Sequence, residues 1–217
     1  MALLGFDDGS YVELIASAQP GARAPWWPEH IAGNGGPCAW SIRSGDVAAD
    51  AAAFQARGIP VRGPIAMRRA RPDGRDAEFS VAFLGEGEPG TLLPFLIQDL
   101  TPRALRAEPS RCAADAGIAG VGGVTLGVTD LDLAAGMFRR AFEWPAPVPG
   151  EGGADEAQVA HFPGTPVTLI SPRTSGTPLA WRLTRFGDGP VSFSLRARTS
   201  LPGLDALGLH LVEGRRG

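Results

Sequence analysis

Several things are scarce in this chain, and each shortage closes a door. Cysteine occurs only twice, as Cys38 and Cys112, far apart and in no CxxC pair. That excludes a disulfide framework and fits a reducing, cytoplasmic compartment. Histidine occurs three times, as His30, His161 and His210, with no metal-ligand spacing between any two. Net charge is only −3, so there is no electrostatic footprint for nucleic acid or an acidic membrane surface. No apolar run approaches a membrane span. The N-terminus moves from Leu3-Leu4 straight to Asp7-Asp8, without the basic region and apolar core of a signal peptide.

What is present is turn-forming. Gly 30 and Pro 20 in 217 residues mean frequent turns and short strands, while 44% hydrophobic residues suit a packed core. The opening stretch reads as a hairpin, Ala2 to Phe6 and Tyr11 to Ala16 about an Asp8-Gly9 turn. An isolated hairpin is marginal in water, so these strands are expected to join a sheet supplied later. Glu13 sits in the middle of the second arm with bulky residues on both sides. A carboxylate taken out of water is costly unless paired or bound, so Glu13 meets a wet cavity, a partner or a cation.

The remaining chain alternates strands and helices. Residues 17–37 form a loop with a short helix from Pro25 to Ile31. Cys38 to Arg43 reads as a strand. Val47 to Arg57 reads as a helix, with Val47, Ala51 and Phe54 on one face, Asp46 as its N-cap and Gly58 at its end. Ile59 to Val61 begins an extended stretch. Ala66–Arg71 and Ala77–Leu84 then form a hairpin about Pro72-Asp73-Gly74, and the strand Pro94–Gln98 follows. Residues 101–119 read as a linker. The pattern restarts with the strand Val124–Val128, the N-cap Asp130, the helix Leu131–Phe142 and the hairpin Gln158–Phe162 with Val167–Ile170. A further start places a strand at Val191–Ala197, a short helix at Leu201–Leu207 and a strand at Leu209–Val212.

The chain repeats itself. CAWSIRSGDVAADAAAF aligns with GGVTLGVTDLDLAAGMF, placing Asp46 over Asp130 and Phe54 over Phe138. GSYVELIA aligns with GTPVTLIS, placing Glu13 over Thr168. The repeated unit is βαβββ, which leaves one sheet face uncovered until modules pair. The expected fold class is therefore α+β, with repeated βαβββ modules whose pairing creates a concavity between them. The expected domains are residues 1–100 (a partial and a complete module), a linker at 101–119, and 120–217 (a third module and the start of a fourth).

These segments, taken in order with the hairpin RRARPDGRDAEFSVAFL and the strand PFLIQ, resemble the vicinal oxygen chelate superfamily and its glyoxalase-like domain proteins. The resemblance implies paired βαβββ modules forming half-open mixed-sheet barrels around a small-molecule site and, in metal-binding members, a set of two His and two Glu. Measured against that family, the chain opens in the third strand of a first module. Either the true start lies upstream of Met1 or half a module has been lost. Glu13 matches a family glutamate, but the other places hold Leu96 or Ile97, Cys38 to Ser41, and Thr168. One ligand is too few for a divalent ion, which takes about three or four protein donors. No metal and no cofactor is expected.

The candidate ligand-binding residues are Glu13, Trp26, Trp27, Trp40, Arg68 and Gln98, because binding cavities combine apolar walls with a few polar groups. Arg68 belongs to a cluster with Arg69, Arg71 and Arg75 that would suit an anion. It equally suits a solvated hairpin whose charges discourage edge pairing. Trp40 fits ordinary core packing as well. The run Gly117–Gly123 fails as a dinucleotide loop because a strand follows it. No residue is assigned a catalytic role. Three functional readings stand: a metal-free protein binding a small organic molecule; a glyoxalase-type lyase or dioxygenase with ligands upstream or from a partner chain; and a degenerate structural homodimer.

Overall fold

A computed structural model describes residues 1–17, 19, 23–150, 157–198 and 210–213, the last four by backbone alone. The opening hairpin forms as expected. β1 (Ala2–Gly5) pairs antiparallel with β2 (Tyr11–Leu14), setting Leu3 opposite Glu13. It does not extend a larger sheet, contrary to expectation; it stands as a two-stranded sheet. Burial replaces strand pairing as its anchor. Phe6, 1% exposed, inserts beside Ala113 and Leu195. The turn is tied down by charge: Asp7 to Arg198 at 2.6 Å, Asp8 to Arg196, and Val121 N–H donating to Ser10 Oγ at 2.8 Å.

After the short helix α1 (Pro28–Ala32) comes a complete module: β3 (Ser41–Arg43), α2 (Val47–Ala56), β4 (Val61–Ala70), β5 (Asp76–Leu84) and β6 (Phe95–Asp99). Its strand order is β3-β6-β5-β4, with the first strand parallel to the last. The expected helix face is buried through Val47, Ala51 and Phe54. Asp46 caps the helix, its Oδ1 accepting from Ala48 and Ala49 N–H at 3.1 Å. Gly58 takes φ +74°, where only glycine is unstrained.

Residues 101–119 are not a bare linker. They hold two short helices, α3 (Arg103–Arg106) and α4 (Arg111–Asp115), of one turn each, too brief for a periodic signal. The second complete module follows: β7 (Ile118–Gly127), α5 (Leu131–Phe142), β8 (Val148–Pro149), β9 (Ala157–His161) and β10 (Val167–Pro172). Its order, β7-β10-β9-β8, repeats that of the first, again with first and last strands parallel. A helix absent from the sequence reading, α6 (Pro178–Phe186), precedes β11 (Gly189–Ala197) and β12 (His210–Glu213). β11 lies antiparallel to β7, and β12 lies parallel to β11. The expected helix at 201–207 falls outside the described residues.

The two modules share one core. Val47, Phe54 and Leu96 from one half pack with Leu126, Phe138, Phe162 and Leu169 from the other. Phe138 is its centre: its ring lies 6.2 Å from Trp40, 5.8 Å from Phe142 and 5.6 Å from Phe162. Arg57 bridges the helix ends, donating to Ala141 O at 3.1 Å and to Glu143 at 2.5 Å. The mixed sheets curve without closing into a barrel, so β5 and β6 are left with a second buried face. Ala82, Leu84 and Leu96 point to the helices, while Val81, Phe83 and Ile97 point away to a separate cluster.

Candidate functional site

A cavity of about 800 Å³ opens on that second face. One wall is the hairpin, residues 8–15. Another is the segment from Asn34 to Trp40, which follows α1. Phe95 and Ile97 of β6, with Ser41 and Arg43 of β3, line it from the module sheet. Val121 and Val124 of β7 and Phe193 of β11 line it from the neighbouring sheet. Strand alternation decides which residues reach it. Along β6 the odd positions 95 and 97 face the cavity, and the even ones face the helices.

That parity sorts the six candidates. Glu13, Trp27 and Trp40 line the cavity together. Gln98 has the even parity of Leu96 and turns to α2. Its Oε1 accepts from Val47 N–H at 3.0 Å and its Nε2 donates to Gly45 O at 2.8 Å. It finishes a helix N-terminus and does not line the cavity. Arg68 pairs with Asp76 on the exposed hairpin. Its neighbour Arg69 turns inward instead and donates to the Arg106 carbonyl. Trp26 lies with its ring 5.7 Å from that of Phe83, in the cluster beside the cavity, and does not line it.

Glu13 keeps exposed surface toward the cavity, yet its carboxyl is held above the usual range. Burial by the surrounding walls is the larger cause; the charges of Arg69, Arg106 and the N-terminus pull the other way and do not prevail. Trp27 is 9% exposed and holds a left-handed backbone, φ 52°, an unusual state for a bulky residue. Two contacts keep it there: its indole N–H donates to Pro89 O at 2.8 Å, and its backbone N–H to Glu88 at 3.2 Å. Trp40 donates its indole N–H to Leu92 O at 3.1 Å.

The sequence reading missed other members. Tyr11, one arm position before Val12, lies under two guanidinium groups: Arg106 Cζ is 4.9 Å and Arg103 Cζ 5.9 Å from its ring. Both arginines pair with Asp99, Arg106 Nε at 2.5 Å and Arg103 Nη1 at 3.0 Å. Burial alone would raise the Asp99 carboxyl, but the Arg106 hydrogen bond and both positive charges hold it below the usual range. Cys38 and His30 also line the cavity. Burial raises the Cys38 thiol, so it is not an activated nucleophile. Burial, with Arg182 nearby, lowers the His30 imidazole.

The donor set does not fit a metal ion. Among the described residues no group of three or more His, Cys, Asp and Glu stands close enough to hold one. Thr168, at the repeat position of Glu13, lies 3.3 Å from His161 Nδ1 across the β9–β10 pair.

Residues 1–142 match the sequence profile of a family described as "Glyoxalase-like domain". No curated protein matches the chain. Among solved structures, a hypothetical protein from Staphylococcus aureus is 12% identical, with a TM-score of 0.46 over 73% of this chain and 57% of that one. The chain thus spans little more than half that protein's length. A mutant of 4-hydroxymandelate synthase from Streptomyces coelicolor is 18% identical, with a TM-score of 0.47 over 80% of this chain and 53% of that one. Methylmalonyl-CoA epimerase from Mycobacterium tuberculosis is 24% identical, with a TM-score of 0.33 over 46% of this chain and 73% of that one. None of these likenesses transfers an activity to this chain.

Proposed function

The chain belongs to the glyoxalase-like domain family of the vicinal oxygen chelate superfamily, and on that footing we propose that it binds a small organic molecule, without metal, in the cavity beside the hairpin. One observation carries the reading: a carboxyl raised by burial, Glu13, faces a largely apolar space of about 800 Å³. That volume lies within the range of roughly 300–1,000 Å³ common for small-ligand sites. Trp27 and Trp40 supply flat apolar wall, and Glu13 supplies a polar point for orientation. A metal-dependent lyase or dioxygenase is not proposed, because the described donors do not fit the ion.

The same raised carboxyl favours one second reading. A carboxylate whose pKa moves toward neutrality is suited to taking a proton from a bound acid. The two readings part on one experiment. Glu13→Gln keeps the shape and removes the titrating group. Retention of small molecules that co-purify with the protein, followed by mass spectrometry, is expected to fall by about tenfold in this variant. Unchanged retention with unchanged stability and unchanged solvent deuterium incorporation would remove Glu13 from the site. Loss of solvent deuterium incorporation into the retained molecule, with retention intact, would favour proton transfer.

A further inference from the structure

The chain contains no lysine, so all 20 basic residues are arginines. Two of them, Arg43 and Arg103, line the cavity, and neither is used up by the fold. Arg43 ends β3 and is exposed; among the described residues its side chain makes no ion pair, hydrogen bond or ring contact. Arg103 is held by one edge only. Its Nη1 meets Asp99 at 3.0 Å, and its guanidinium lies 5.9 Å from the Tyr11 ring. Its Nε is buried and has no hydrogen-bond partner, and no hydrogen bond engages Nη2.

A buried N–H of a charged group without an acceptor is costly and calls for an explanation. The Nε–Nη2 edge of a guanidinium is a planar fork matched to two oxygens of one carboxylate or phosphate. The hairpin packs against the Nε end of this edge and leaves Nη2 as its unpaired end. Gly9 stands over it at φ +80°, and a Cβ there would lie 3.1 Å from Nε. The acids in the lining do not satisfy it. Asp8 is paired with Arg196, and Glu13 faces Arg69 and Arg106. Among the described residues, the other buried side-chain nitrogen without a partner belongs to Arg182, which does not line the cavity.

We propose that the cavity's ligand is an oxyanion-bearing molecule, a small apolar body with one carboxylate or phosphate, held through the unpaired Nη2 of Arg103 with Arg43 adding to the attraction. This rests on the reading of the cavity as a ligand site and names the chemical class that site takes. Tyr11 and the paired Asp99 fix the Arg103 plane, so the fork is presented in one orientation. Aromatic wall from Trp27 and Trp40 receives the apolar body.

Titration calorimetry with three probes of one shape tests it: benzoate, phenyl phosphate and methyl benzoate. At low salt one of the two anions is expected to bind about tenfold more tightly than the neutral ester, the advantage shrinking as salt is added. Which anion wins identifies the oxyanion. Arg43→Gln and Arg103→Gln are each expected to lower the anion's affinity by several-fold to about tenfold and to leave the ester unchanged. Arg103→Gln also strips Asp99 of a partner, so its fold is checked by circular dichroism. Arg43→Gln touches nothing in the core and decides the matter if Arg103→Gln unfolds. Ester binding as tight as anion binding overturns the proposal and leaves the cavity reading standing. Anion binding indifferent to both substitutions also overturns it. Binding of none of the three overturns both.

Discussion

Glu13 is the residue on which the site turns, and its protonation has a direction. Its folded pKa lies above the ordinary 4.5, so the contribution it makes to stability is present at low pH and is lost as pH rises through the folded value. Asp99 runs the other way: its folded pKa lies below the ordinary 3.8, so its contribution holds above that value and is lost as pH falls. Denaturant melts of the wild type and Glu13→Gln across this acidic window are expected to converge at low pH and separate upward, with the variant the more stable. Parallel curves would show that Glu13 is not desolvated. At this scale the sequence showed part of the cavity lining. An acid in the middle of an apolar strand is visible by its chemistry, and so are paired tryptophans. Gln98 and Arg68 were one residue out of phase. Side-chain parity depends on which strand face meets the helices, and that is settled by tertiary pairing. Arg43 and Arg103 were missed for the same reason, the second within a stretch that looked like linker.

Among the elements, the helices were the most legible. Asp46 and Asp130 behave as caps, Asp130 Oδ1 accepting from Leu133 N–H at 2.9 Å. Asp130→Ala is expected to cost about 1 kcal/mol of stability in urea melts, without changing ligand affinity. Strand starts and hairpin turns were legible from Gly, Pro and Asp. α3 and α4 were not, because one turn carries no period, and α6 was overlooked between two turn-rich stretches. The hairpin is the element whose position matters most for the site. Its turn is fastened to β11 by the exposed pair Asp8–Arg196 and to the residue just beyond that strand by Asp7–Arg198. Such pairs are worth about 0–1 kcal/mol. The double variant Asp7→Asn with Asp8→Asn is therefore expected to leave global stability nearly unchanged while speeding amide hydrogen exchange in Tyr11–Leu14. Equal exchange in both proteins would show that Phe6 and the backbone hydrogen bonds to Ser10 Oγ and Gly5 O hold the wall without the ion pairs.

For the whole molecule, the repeat seen in the sequence is the repeat seen in space. Two modules with the same strand order bury their helix faces in one core, and the superposition of Phe54 on Phe138 places both in it. Phe138 is 0% exposed at the centre of the aromatic cluster. Phe138→Ala is expected to cost about 3–5 kcal/mol, and both halves should melt together, since neither keeps a closed core without the other. Two separated transitions by calorimetry would contradict a shared core. What the repeat could not reveal is that the hairpin stays apart as its own small sheet. That separation makes it a wall of the cavity instead of a continuation of the floor.

Backbone and indole ¹H–¹⁵N spectra of the protein titrated with benzoate and phenyl phosphate decide whether the cavity beside the hairpin binds them. The shifted signals are expected to fall on Tyr11, Glu13, Cys38, Arg43, Val121 and the indoles of Trp27 and Trp40. Shifts confined instead to the smaller hollow around Ile59, Leu84 and Met137, or scattered over the surface with those seven unmoved, would contradict it.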